Sequence, residues 1–247
     1  MIRGLFTAAG GMLPRVVQQD SAAENLANIS TNGFKRSEVF LRRLIDASSA
    51  LDRALGRERK NGPEELRTDF TQGTFDVTEV PFDLALNGPG FFRVRDASGA
   101  VYYTRNGRFH LNTDGVVVNT SGLSLLDTAG VPIRVSGETV AIMADGAVVV
   151  DGERAATVAI ADFDPKGYLT LEQVGKGLFR KPAATAESPA RATTQIMQGY
   201  LEDSNADEIR LMVDMIEILR SFEMGQKSIQ IQDQTLQRVV TELGAVR

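Results

Sequence analysis

The chain has no cysteine and no tryptophan, and only one histidine, His110, in 247 residues. Without cysteine there is no disulfide framework, thiol nucleophile or thiolate metal site. That suits a reducing compartment. It suits equally a chain that travels unfolded into an oxidising one. A single imidazole leaves the usual nucleophilic triads and transition-metal sites without their parts, so His110 reads as a filler residue in a strand. No apolar run is long enough to span a bilayer. The first residues are interrupted by Gly10, Gly11 and Pro14 and lack the solid apolar core of a secretory signal. The net charge of −5 gives no bulk attraction to nucleic acid or acidic membranes. A basic run (Arg42, Arg43, Arg53, Arg57, Arg59, Lys60) has no interleaved aromatics and reads as a solvated face. Residues 162–173 resemble an EF-hand loop only superficially. Lys166 stands where a ligand is needed and Gln173 replaces the bidentate Glu, so a β-hairpin turn is the expectation. These readings point away from an enzyme: no catalytic residue, no cofactor, no metal, no small-molecule ligand, no nucleic acid and no membrane insertion are expected.

What the chain does have is concentrated at its ends. From Ser204 to Leu243 apolar residues recur at 3-4 spacing: Met212, Met215, Leu219, Phe222, Ile229, Leu236, Val240 and Leu243, with Gln226 and Asp233 between them. Ser204 and Asn205 are natural N-caps, and Asp207 and Glu208 put negative charge on the first turn. The helix would be about 60 Å long at about 1.5 Å per residue, more than one subunit of this size can cover. The first residues repeat the pattern with Ile2, Leu5, Ala9, Met12, Val16, Gln19, Ala23 and Leu26. A break or kink is expected at Pro14, and Asn32-Gly33 is a turn with Gly33 at positive φ. Two such seams at opposite termini predict that the ends meet as a coiled-coil stalk.

Between them, from Asp69 to Pro182, period-2 alternation and turn signals every eight to twelve residues predict antiparallel strands in a sandwich or barrel. The fold class is therefore mixed α + β: long N- and C-terminal helices paired as a coiled-coil stalk, with an antiparallel all-β domain inserted. The expected segments are 1–36 helical, 37–68 connector, 69–182 β-domain, 183–203 linker and 204–247 helical.

Three blocks of sequence then coincide with one family. Asn25-Leu26-Ala27-Asn28, followed by Asn32-Gly33-Phe34-Lys35, is the first. The second is Gly90-Phe91-Phe92 with Tyr103-Thr104-Arg105-x-Gly107-x-Phe109, where glycines suit hairpins and alternating aromatics would fill the inner face of a sheet. The third is Glu202-x-Ser204-Asn205 ahead of the last helix, with Arg220-Ser221-Phe222-Glu223-Met224 within it. In order and spacing these resemble the rod and hook proteins of the bacterial flagellum, its axial proteins. Gly177-Leu178-Phe179-Arg180 and a short connector look more like the proximal than the distal rod type.

The resemblance implies a structural subunit that polymerises through its terminal helices into the rod, the drive shaft carrying torque from motor to hook. It implies other rod proteins and further copies as partners. It also implies the flagellar type III export apparatus, export without a cleaved signal, and a place in the periplasmic rod. The assembly contacts would be Ile2, Leu5, Met12, Val16, Leu26, Met212, Met215, Leu219, Phe222, Ile229, Leu236 and Val240. The residues alone leave a second possibility open, a β-sandwich binding module dimerised by a terminal coiled coil.

Overall fold

The computed structural model describes residues 2–40, 65–137, 139–175, 177–183, 185–189, 191 and 193–244. The basic run of 42–60 lies outside them. The chain divides into two compact units. One comprises residues 1–27, 37–69 and 207–247, and the other residues 28–36 and 70–206.

The strand pairings of the second unit are all antiparallel. Its main sheet has nine strands, and its central path runs Glu172–Gly175, Leu178–Arg180, Val101–Thr104, Phe91–Arg95, Ser124–Leu125, Val117–Asn119, Phe109–Leu111. Ile160–Asp162 joins it through Phe91–Phe92 and carries Ser188–Pro189 on its other side. A three-stranded sheet (Val140–Ile142, Ala147–Val150, Glu153–Thr157) and the two-stranded pairs Leu84–Asn87 with Gln195–Gln198 and Phe75–Val77 with Tyr200–Glu202 complete the unit.

Side chains alternate across a strand, so Phe91 and Phe92 face opposite ways. Phe92 packs with Val94, Phe109, Leu125, Ile133 and Val148, edge-on to Phe109 at 5.5 Å. Phe91 joins Tyr103, Phe163 and Phe179 in a second cluster, edge-on to Phe70 at 5.6 Å. The expectation that these aromatics fill one inner face is corrected: they fill two cores, one on each face of the strand. Burial, with a hydrogen bond to Glu187, holds the Tyr103 phenol well above its ordinary pKa.

Four hairpins share one turn design. Asp96, Asn112, Asn119 and Asp127 each stand three residues before a glycine at positive φ (Gly99, Gly115, Gly122, Gly130). Each accepts at its side-chain oxygen the amide four residues on, for example Asn112 from Val116 at 2.8 Å and Asp127 from Val131 at 2.8 Å. The EF-hand-like stretch is neither a calcium loop nor the expected hairpin turn. Pro165–Tyr168 forms one helical turn, α2, capped by the Asp164 carboxylate on the Gly167 amide at 2.7 Å. Pro165 at the first helical position suits that turn.

Two exposed residues other than glycine lie in the left-handed region, Asp151 at φ 51° and Glu79. Glu79 has φ 56°, and its amide and that of Thr78 both donate to Gly199 O. A side chain in this left-handed region costs about 1–2 kcal/mol, part of which glycine returns as unfolded-chain entropy. Glu79→Gly should therefore raise stability by about 0.5–1 kcal/mol. An unchanged or lower denaturant midpoint would show that the Glu79 side chain contributes more than its backbone costs.

The first unit corrects the expected fold class. Helix α1 (Ile2–Ala27) is 26 residues long, and helix α3 (Glu208–Gly244) is 37. They touch, as where Gly225 lies against Met12, but they do not form the matched coiled-coil stalk. Among the described side chains of α1, those of residues 12 and 14–27, the buried ones are Ser21, Ala22 and Asn25. They are small or polar residues, and Ser21 and Asn25 bond to the strand Ser37–Phe40, while Val16 and Ala23 of the expected seam are exposed. The protein is mostly antiparallel β, and its strands are not confined to an insertion. Ser37–Phe40 pairs with Glu65–Thr68 inside the helical unit, and strands continue to Glu202.

The break expected at Pro14 is absent, and α1 runs through it. Pro14 has no amide to donate to the carbonyl four residues back, that of Gly10, so the helix lacks that one hydrogen bond but continues. The cap of α3 also differs from expectation. Asp207 Oδ1 accepts the Ile209 and Arg210 amides at 3.0 and 3.2 Å, because Asn205 is engaged elsewhere.

Candidate functional site: an apolar helix face and a polar joint

Helix α3 is apolar on two sides. Leu211, Met215, Ile218, Phe222 and Ile229 are buried or half-buried. Ile209, Met212, Val213, Ile216, Met224 and Ile231 are exposed, Ile209 at 76 % and Met224 at 65 %. At 3.6 residues per turn these six span an arc of about 120°, opposite the half-buried set. Ile209, Met212, Val213 and Ile216 adjoin one another over the first turns of this face, while Arg220, Glu223 and Lys227 interleave with Met224 and Ile231; an exposed apolar patch such as the first four marks an interaction site. The expected contacts divide accordingly. Met212, Leu219 and Val16 are exposed, whereas Met12, Leu26, Met215, Phe222 and Ile229 are half-buried. Ile2, Leu5, Leu236 and Val240 lie on the helices, but their side chains fall outside the described residues.

The motif residues of the three blocks form a polar joint where the chain leaves the β-rich unit. Gly33, at φ 66° as expected, donates its amide to Glu202 O at 2.6 Å. Added to Gly33, a Cβ would sit 2.3 Å from the Arg105 backbone, so nothing larger fits. Lys35 follows, 1 % exposed, with its ammonium on Glu202 Oε1 and on Thr71 O. Arg105 reaches Glu202 Oε2 at 3.1 Å and also donates to Leu86 O and Gly88 O. The Arg105 guanidinium stands 5.6 Å from the centre of the Phe91 ring. Glu202 is fully buried, and its Oε1 also accepts the Gly73 amide. Two cations thus share one carboxylate, and backbone carbonyls take up the excess positive charge.

Asn205 repeats the arrangement three residues on. Its Oδ1 accepts the Arg36 amide at 2.8 Å, and its Nδ2 donates to Thr71 O at 3.1 Å. Asn25, in the helical unit, pairs reciprocally with the Ser37 backbone at 2.8 Å in each direction. Gly107 lies flat against Leu84, and Thr104 donates to Gly177 O. Asn28 accepts the Thr31 amide at its carbonyl, Phe34 is buried, and Ser204 accepts the Ala206 amide. Sequence reading missed Glu202, Gly73 and Thr71 as members of the joint. The signal for Glu202 was present, since it opens the third motif block.

Among the described residues no group of three or more His, Cys, Asp or Glu could hold a metal ion. No helix among them is long and apolar enough to cross a membrane.

Residues 85–150 match the flagellar hook protein FlgE/F/G D1 domain, and residues 197–242 match the flagellar basal body rod FlgEFG protein C-terminal region. The flagellar basal-body rod protein FlgF of Caulobacter vibrioides is 31 % identical over 92 % of this chain and 92 % of its own length. The chain belongs to the flagellar basal-body rod protein family. Two further relatives carry the other type name. FlgG of Buchnera aphidicola subsp. Acyrthosiphon pisum is 30 % identical over 97 % of this chain and 99 % of its own. FlgG of Borreliella burgdorferi is 29 % identical over 96 % and 97 %. Rod relatives of both types are thus similar to this chain at nearly equal identity. The two matched regions divide the rod protein's parts between them: the first holds Arg105 and Gly107, and the second holds Glu202, Asn205 and the exposed face of α3.

Proposed function

We propose that this chain is a structural subunit of the flagellar rod that polymerises through its terminal helices and carries torque along the resulting shaft. One observation carries the reading: α3 presents, away from its half-buried side, an exposed apolar patch of Ile209, Met212, Val213 and Ile216, with Met224 and Ile231 further along, which a lone subunit leaves in water. A neighbour laid along that face would bury it. A contact between unlike surfaces that does not close on itself repeats as a helix of subunits, which is the geometry of a shaft. On this reading the partners are further copies and other rod proteins, the location is the basal body within the periplasm, and entry is by the flagellar export apparatus without signal cleavage. The short segment between the first motif and the β-structure supports the proximal type.

Ile216→Asp tests the reading. Ile216 is 51 % exposed, so the monomer should keep its melting transition. Buried in a subunit contact, the new carboxylate would cost several kcal/mol. The expected result is folded protein that fails to enter purified basal bodies and fails to restore motility. Normal incorporation of this variant would remove the α3 face from the assembly. Phe222→Asp is the companion: Phe222 is half-buried, so it should lower stability as well as block incorporation.

A further inference from the structure

Lys35 and Arg105 carry the same charge, and both are buried, at 1 % and 5 % exposure. Neither can enter that environment without the anion, since a buried ion left unpaired is strongly unfavourable. The anion, Glu202, stands 167 residues after Lys35 and 97 after Arg105. The segment following α1 therefore has no stable seat until the segment preceding α3 is in place.

The hydrogen bonds run in both directions across the same pair. Glu202 O holds the Gly33 amide, and Phe34 O holds the Asn205 amide. Glu202 Oε1 takes both Lys35 and Gly73, while Asn205 takes both Arg36 and Thr71. Gly73 lies between them with no room for a side chain, since a Cβ there would come within 2.2 Å of Asp203 O. Residues 33–36, 71–73 and 202–205 thus share one set of partners.

We propose that this joint is a latch which couples the two termini: residues 33–36 and 202–205 order as a single event, so whatever steadies one terminal segment steadies the other. Coupling of this kind is reciprocal by linkage. It does not depend on polymerisation and would hold in a monomer. In an assembling subunit it would let a contact made by either helix be felt at the root of the other.

Residue-resolved amide exchange on the full chain tests it with two variants, one on each side. Lys35→Met keeps the side-chain stem and removes the charge. It should speed exchange of the Asp203 and Asn205 amides by about tenfold. Asn205→Ala should speed exchange of Gly33 and Arg36 by a similar factor. Amides of the main sheet, such as Arg93 and Leu126, which bond to Ala159 O and Arg93 O, should change by less than about threefold. In the double variant the acceleration should fall short of the product of the two single effects. Acceleration confined to the mutated side would overturn the latch, as would a uniform increase across both units or strict multiplicativity in the double variant. Should Lys35→Met not give folded protein, the Asn205→Ala arm decides alone, because it spares both charges and reads Gly33 from the far side.

Discussion

Glu202→Ala should destabilise the β-rich unit by about 3–5 kcal/mol, a large part of the stability of a domain of this kind. The substitution removes one carboxylate and strands two cations. Lys35 would keep Thr71 O and Arg105 would keep Leu86 O and Gly88 O, but carbonyl dipoles do not balance two buried positive charges. The Gly73 amide would lose its acceptor as well. Lys35→Met should cost distinctly less, because Glu202 would retain Arg105 and Gly73. The measurement is convenient here. The protein has no tryptophan and four tyrosines, at 102, 103, 168 and 200, all within the β-rich unit, so tyrosine emission during urea denaturation reports that unit alone. A Glu202→Ala cost below about 1 kcal/mol, typical of an exposed pair, would mean that water reaches the joint. A Lys35→Met cost equal to that of Glu202→Ala would mean that the carboxylate is not its hub.

The same cluster shows where reading the sequence succeeds and where it stops. Local signals carried well. Positive φ at Gly33 followed from Asn32-Gly33, and the antiparallel β-structure followed from alternation and turn spacing. The Asx residues three places before Gly99, Gly115, Gly122 and Gly130 specify turns with a mechanism that the sequence displays openly. The helices were harder. A 3-4 repeat shows that a helix has an apolar seam, yet α3 is apolar on two opposite sides, and the repeat drawn from Met212 to Val240 crosses between them. Which side meets α1 depends on Gly225, where the missing side chain admits Met12. The coiled-coil expectation failed for a related reason: α1 turns two polar residues, Ser21 and Asn25, toward the Ser37–Phe40 strand. Charge partners were not legible at all. Nothing local ties Lys35 to a carboxylate 167 residues away, and only their shared place in motif blocks hinted that they belong together.

Gly107→Ala should be among the most damaging single-methyl additions in the protein, costing more than about 3 kcal/mol. Its backbone does not lie in the left-handed region, so conformation alone would admit alanine there. Space does not. An added Cβ would lie 1.5 Å from Leu84 O and 2.6 Å from the Leu84 carbonyl carbon, and both are backbone atoms that cannot swing aside as a side-chain end can. The Leu84 amide donates to Gly107 O at 2.9 Å. The Asp83–Arg108 bridge and the Phe109 amide on Phe82 O hold the same two segments together. Separating them to admit a methyl would break this short ladder, shift Leu84–Asn87 against its other partner, Gln195–Gln198, and disturb Leu84 and Phe109 in the main core. Gly122→Ala isolates the alternative explanation. Gly122 sits at φ 79° with open space around its Cβ position, so alanine there meets only conformational strain, about 1–2 kcal/mol. If both variants lower the tyrosine-monitored stability equally, crowding at Gly107 is relieved by a small backbone shift and its glycine is a matter of chain flexibility. If Gly107→Ala is the more damaging by about 2 kcal/mol or more, the glycine of the Tyr-Thr-Arg-x-Gly-x-Phe element is set by the contact with Leu84. That contact anchors the start of the segment whose Leu86 and Gly88 carbonyls receive Arg105, so the glycine would help seat the arginine that reaches Glu202.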